Sequence, residues 1–377
     1  MSPPSRSRPL NNATFSAAFA KQKTQSYSDP TSRGPHSIRT LAWNPLGTLV
    51  ATGAGDRSVR IWNPEKTHVR NSTELRGHAG AVERLAWNPV KEAELASCGA
   101  DGSVRFWDVR SKAAVAEVKV GGDGFSLAWR PDGSELVVGR KDDVLVPVSL
   151  AAMKSVAEYR QPVQTNQTVF SNSGHELFVT TGEGHVKILD YPSMVRLPGL
   201  LPHPSPISIF HLHSSHRPSP SHIPSPPPAA RSRKTDYFSG SDHPQIPQTP
   251  LHTLNAHTSS CYSIDISPSG THLAVGGSDA LLTLWDTHDW VCTHSLARMT
   301  GPVRAISFSF DGAFVVGASD EPGSRDLDVA HVETGEYVHV VETGGAVGCV
   351  AWHPLRYWLA YVAEVGGLKI VGAGGNL

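Results

Sequence analysis

Short runs of alternating apolar and polar residues, each closed by a glycine-aspartate corner, recur along most of this chain. In "GADGSVRFWD" the corner at Asp101 leads into a β-branched run that ends at Trp107. Comparable corners stand in "GAGDRSVRIWN", "GRKDDVLVPV", "TGEGHVKILD" and "GGSDALLTLWD", and looser copies follow at 317 and 363. Upstream of each corner another run ends in a large apolar anchor, often before a proline turn: "LAWNPLG", "LAWNPV", "LAWRPDG", "TVFSNSG", "IDISPSG", "ISFSFDG" and "VAWHPLR". Alternation of period two, bounded by Gly, Pro, Asn and Asp, predicts short strands joined by tight turns.

The anchors are Trp43, Trp87, Trp129, Phe170, Ile266, Phe308 and Trp352, at intervals of 44, 42, 41, 96, 42 and 44 residues. The long interval contains residues 198–250, which hold 13 of the 29 prolines and show neither helical nor strand periodicity. Proline cannot donate to a strand ladder, so this Pro/Ser/His-rich stretch is expected to be an unstructured insertion. Without it the chain reads as seven repeats of about 42 residues. Only the sixth breaks step, where "EPGSR" lengthens its turn.

A period of this length with Trp-Asp strand ends predicts an all-β fold, a seven-bladed WD-repeat β-propeller. One thin sheet cannot bury both of its faces, so blades stack around an axis and ring closure protects the ends. The expected organisation is a disordered basic arm over 1–35, blades one to four over 36–197, a disordered insertion over 198–250, and blades five to seven over 251–377. The last blade, "LAYVAEVGGLKIVGAGGNL", is short, and a few residues of the arm can complete it by strand pairing.

Recurrence also assigns the polar residues. His78 and His257 each lie nine residues before an anchor. They are expected to meet the corner aspartates Asp101 and Asp279, with Trp107 and Trp285 packed beneath, as a structural brace repeated with the blade and not a catalytic pair. Asp56 occupies the same corner in the first repeat, but Gly34 stands where the histidine belongs and His36 is out of register. Residues four before each anchor begin the innermost strands near the channel mouth: Arg39, Glu83, Phe125, Asn166, Tyr262, Arg304 and Gly348. With Lys141 from the third corner they form a mixed aromatic and charged rim suited to protein contact.

Charge narrows the partners. The net charge is -1, but the arm carries +4 and the insertion +2, leaving the blades at -7. An acidic body is a poor nucleic-acid clamp, because phosphate binding rests on clustered Lys and Arg. The chain offers no phosphate cradle, nucleophile elbow or zinc-protease motif. Its four cysteines, at 98, 261, 292 and 349, have no metal or disulfide spacing and read as buried thiols. No enzyme activity, cofactor, metal, small-molecule substrate or membrane association is therefore expected.

Within the blades the wording is specific. "VGRKDDV", "LDYPSM", "NAHTSSCYSIDISPSG", "GGSDALLTLWD", "VCTHSLARMTGPVRAISFSFDG", "VAHVETGE" and "AWHPLRYWLAY" follow one another in an order that resembles the THO complex subunit 3 family. The resemblance implies a nuclear, non-enzymatic docking subunit of the THO/TREX assembly. Its partners would be helical scaffold proteins and, through them, mRNA-protein particles; its role would be to couple transcription to mRNA processing and export. The insertion, the longer sixth corner and the lack of a longer tail depart from the family pattern. The alternative use of the same ring is as an adaptor elsewhere, a ubiquitin-ligase substrate receptor or a histone-binding adaptor.

Overall fold

In the computed structural model, residues 6–27, 37–65, 72–194, 250–363 and 367–373 are described. They form seven antiparallel sheets, six of four strands and one of five. The innermost strands are Ile38–Trp43, Val82–Trp87, Gly124–Trp129, Thr165–Phe170, Cys261–Ile266, Val303–Phe308 and Val347–Trp352. Each touches the next, and the seventh touches the first, so the ring closes. The chain is a seven-bladed WD-repeat β-propeller.

Burial follows position within the blade. The second strands, such as Val50–Ala54, Phe314–Ser319 and Leu359–Ala363, are buried at every residue. Neighbouring blades cover both of their faces, which is why the sequence runs apolar there without alternation. The outer strand Ala113–Lys119 alternates weakly and is largely exposed.

The anchors do more than fill space. Trp43, Trp87 and Trp129 each donate an indole N–H to the inner-strand carbonyl of the preceding blade, at Ala351, Ala42 and Ala86, over 3.2, 3.0 and 3.0 Å. A buried tryptophan therefore supplies apolar area and a directional bond across the blade interface at once.

The expectation of a disordered arm is corrected for residues 6–27. Strand Thr24–Tyr27 pairs antiparallel with Gly367–Val371, Thr24 opposite Val371 and Tyr27 opposite Leu368, and supplies the outer strand of blade seven. Ahead of it, helix Asn12–Phe19 starts at Asn11, whose side chain accepts from the Thr14 N–H. Phe15 and Phe19 lie one turn apart on one face of this helix and are buried between blades six and seven. The Phe15 ring lies 3.9 Å from that of Phe314 and also meets Trp352 and Tyr357. Arg6 donates to the Phe310 carbonyl over 2.9 Å. Two phenylalanines in a short polar stretch are too weak a pattern to show as a helix in sequence, yet they suffice to hold one against a prepared groove. The expectations for residues 28–36, His36 among them, and for 198–249 lie outside the described residues.

Candidate functional site

The corner of blade two is a relay of four side chains. His78 Nδ1 lies 2.9 Å from Asp101, its Nε2 lies 2.7 Å from Ser97 Oγ, and Trp107 donates its indole N–H to the same Oγ over 2.8 Å. Burial tends to raise the Asp101 carboxyl, but hydrogen bonds from Ser103, His78 and the Ala79 N–H outweigh it and hold the group well below the usual carboxylate range. Burial lowers His78, against the pull of Asp101, so the imidazole is neutral near pH 7. With the carboxylate ionised, the network assigns the proton to Nδ1, and Nε2 accepts from the Ser97 hydroxyl.

Blade five repeats the relay with a different hydroxyl. His257 Nδ1 lies 2.9 Å from Asp279, and Trp285 donates to Thr283 Oγ1 over 2.9 Å, which lies 3.3 Å from His257 Nε2, a nitrogen that also faces the Val275 carbonyl at 3.2 Å. Thr283 sits directly across the ladder from Val275, so the hydroxyl comes from the facing strand. A Cβ on Gly277 would fall 2.4 Å from His257 Nδ1 and 2.3 Å from Asp279 Oδ1, so only glycine leaves room for the pair. In blade one Trp62 donates to Thr52 over 2.9 Å, and Asp56 is paired instead with Arg60 at 2.8 Å. Neither Ser97 nor the threonines stand out in the sequence. The signal was a small hydroxyl residue near each tryptophan, and it changes strand between blades.

The rim residues share one backbone device. Every inner strand has a break in register near its start, which leaves Arg39, Glu83, Phe125, Tyr262, Arg304 and Gly348 out of the ladder, and Asn166 with Gln167 in blade four. A bulged residue is released from strand pairing and its side chain is re-aimed. Two groups result. Arg39 pairs with Glu83, which also lies 3.8 Å from Lys141 Nζ, joining blades one to three; Lys141 lies 3.6 Å from Asp123 as well. On blades five and six Arg304 stacks 3.8 Å above the Tyr262 ring and reaches Asp320 at 3.2 Å. Phe125 is half-buried and Gly348 exposed. Asn166 is committed elsewhere, donating to the Cys261 carbonyl over 2.7 Å.

Between the rim and the anchors, polar inner-strand side chains stitch neighbouring blades. Asp265 accepts from the Phe308 N–H over 2.9 Å. It is half-buried, and burial pushes its carboxyl up to about 7, against the pull of the Phe308 and Ile266 N–H groups and of Arg84. The expectation of four buried thiols holds for Cys98 and Cys261, which burial pushes up to about 12, and is corrected for Cys292, exposed because its outer strand faces solvent, and for Cys349, which is half-buried. Among the described residues no group of three or more His, Cys, Asp or Glu side chains could hold a metal ion, and no helix is long and apolar enough to cross a membrane.

The WD40 family, described as WD domain, G-beta repeat, matches residues 28–63, 70–108, 248–286 and 290–321. The chain is 30% identical over 329 residues to THO complex subunit 3 of Arabidopsis thaliana, covering 87% of this chain and 86% of that protein. It is 26% identical over 346 residues to WD repeat-containing protein AAC3 of Dictyostelium discoideum, spanning 86% of this chain and 61% of that one. Among solved structures, the Cps50 (Swd1) β-propeller domain of Myceliophteria thermophila superposes with a TM-score of 0.69 at 16% identity, covering 94% of this chain and all of that one. At that identity the likeness bears on the fold alone.

Proposed function

We propose, on the premise that this chain belongs to the THO complex subunit 3 family of WD-repeat propellers, that it is a docking subunit of a THO/TREX-like assembly. The observation that carries the reading is the similarity to THO complex subunit 3 over 87% of this chain and 86% of that protein. In this reading the protein works in the nucleus, binds helical scaffold subunits, meets mRNA-protein particles through them, and helps couple transcription to mRNA processing and export. It makes and breaks no bonds in its partners.

The rim supports a docking role physically. Its side chains stand outside the ladder, on strands fixed by both neighbouring blades, so binding them costs the ring little ordering. A cation stacked on an aromatic ring, as Arg304 on Tyr262, is a pairing common at the centre of protein contacts. The paired relay histidines are braces in this reading and are not offered to partners.

Affinity purification of the tagged full chain from nuclear extract tests the proposal. Recovery of THO scaffold subunits in stable proportion supports it, and their loss in an Arg304→Ala, Tyr262→Ala double variant would place the contact on the rim. Recovery of ubiquitin-ligase adaptors or histones instead, or of the ring alone, refutes the assignment.

A further inference from the structure

Three residues before each anchor, the inner strands carry Thr40, Arg84, Ser126, Gln167, Ser263, Ala305 and Cys349. Five of these side chains bind the next strand around the ring. Thr40 accepts from the Leu85 N–H over 3.3 Å, Ser126 from the Thr168 N–H over 3.1 Å and Gln167 from the Ile264 N–H over 3.4 Å; Ser263 donates to the Val303 carbonyl over 2.8 Å and Cys349 to that of Arg39 over 3.0 Å. Ala305 has nothing to offer, and Ser307 serves instead by accepting from the Trp352 N–H over 3.0 Å. Blade two alone has a long cation at this position. Among the described residues the Arg84 guanidinium has neither an ion-pair nor a hydrogen-bond partner, although the residue is half-buried.

Its location follows from the inner strand that carries it, where it stands next to the bulged Glu83, and from the groups it acts on. The charge of Arg84 reaches Cys98 on its own blade, Asp265 on blade five and Cys349 on blade seven. Groups on those three blades are close together only at the axis. Arg84 therefore presents an unpaired planar cation to the channel, just inside the rim that bears Arg39, Glu83 and Lys141. A guanidinium without a partner among the described residues forgoes the strongest hydrogen bonds open to it, those to an oxyanion.

We propose that the rim-side mouth of the channel takes the carboxylate of a single aspartate or glutamate side chain presented by a protein partner, with Arg84 as its bidentate ligand. The inference rests on the docking reading above and specifies its chemistry. A single carboxylate suits the site better than a nucleic-acid backbone does. At the mouth Arg39, Lys141 and Arg304 are already paired with Glu83, Asp123 and Asp320, so a continuous polyanion meets a single unpaired cation, which one inserted acid satisfies.

The test uses the full chain labelled with nitrogen-15 in arginine only. The Arg84 Nε–H signal is the one that disappears in Arg84→Gln, or in Arg84→Lys should the first variant not fold. Acetyl-Gly-Glu-Gly-amide, acetyl-Gly-Gln-Gly-amide and tetra-uridylate are then titrated in parallel. The expected result is a saturable shift of the Arg84 signal by the glutamate peptide, with the glutamine peptide weaker by about tenfold or more, and smaller movement of the Arg39 and Arg304 signals. An Arg84 signal indifferent to the glutamate peptide overturns the proposal, as does one that responds to tetra-uridylate at lower concentration. The wider docking assignment fails on a different result, the purification of the wild-type chain without scaffold subunits.

Discussion

Replacing Ser97 by alanine tests whether the blade-two relay braces the ring. Ser97 is fully buried, and its Oγ serves two groups at once, His78 Nε2 at 2.7 Å and Trp107 Nε1 at 2.8 Å. Ser97→Ala removes only a hydroxyl, but it strands a buried acceptor on the histidine and a buried donor on the tryptophan. Each stranded group costs about 1–3 kcal/mol, so the expected loss is about 2–6 kcal/mol. That is large beside the usual effect of deleting one oxygen. Urea unfolding followed by far-ultraviolet circular dichroism at pH 7.5 measures it, with exposed Ser111→Ala as the reference. Ser97→Thr should recover most of the loss, because Thr52 makes the equivalent bond to Trp62 over 2.9 Å in blade one. If Ser97→Ala unfolds within about 0.5 kcal/mol of the reference, the relay contributes nothing and the bracing argument is wrong.

Two buried groups give opposite pH dependences. Burial and Arg356 lower His353 to about 3 from an ordinary 6.5, so its contribution is complete above pH 6.5 and fades as the pH falls towards 3; His353→Gln should flatten that acid limb in urea titrations. Asp265, raised from 3.8 to about 7, contributes most below pH 3.8 and least above 7, so Asp265→Asn should stabilise the ring at pH 8 by up to about 4 kcal/mol and change nothing at pH 3.5. Phe15→Ala should release helix Asn12–Phe19 from its groove while leaving the ring folded; tryptic cleavage after Lys21 should then quicken by about tenfold or more, and unchanged cleavage would count against the packing. Replacing residues 198–249 by a short Gly-Ser link should leave the urea midpoint unchanged, since Ile188 and His252 already face each other across one ladder.

The blade count was legible because a closed ring imposes one length on every repeat, and the anchors record it even where Phe170, Ile266 and Phe308 replace tryptophan. The His78 and His257 pairings were legible for the same reason, both partners keeping fixed offsets from the anchor. Three features were not. The hydroxyl of the relay comes from Ser97 on one strand and Thr283 on the next, so no single column of the repeat contains it. Helix Asn12–Phe19 depends on a groove made by Phe314, Trp352 and Tyr357, more than 290 residues away in the chain. Arg84 looks like an ordinary polar residue of an alternating strand until five of the other blades show what its position normally does.

The pairing of Thr24–Tyr27 with Gly367–Val371 has a consequence for how the molecule is made. On the ribosome the earliest of these strands to emerge must wait, unpaired, through the synthesis of every blade before its partner exists. During that interval blades one to six can stack in order, but the edge of the stack stays open at both ends, exposing ladder groups that another nascent copy could capture. Closure of the ring therefore waits on the meeting of Thr24–Tyr27 with Gly367–Val371, and its success depends on how quickly Tyr27 finds Leu368 before a stranger does.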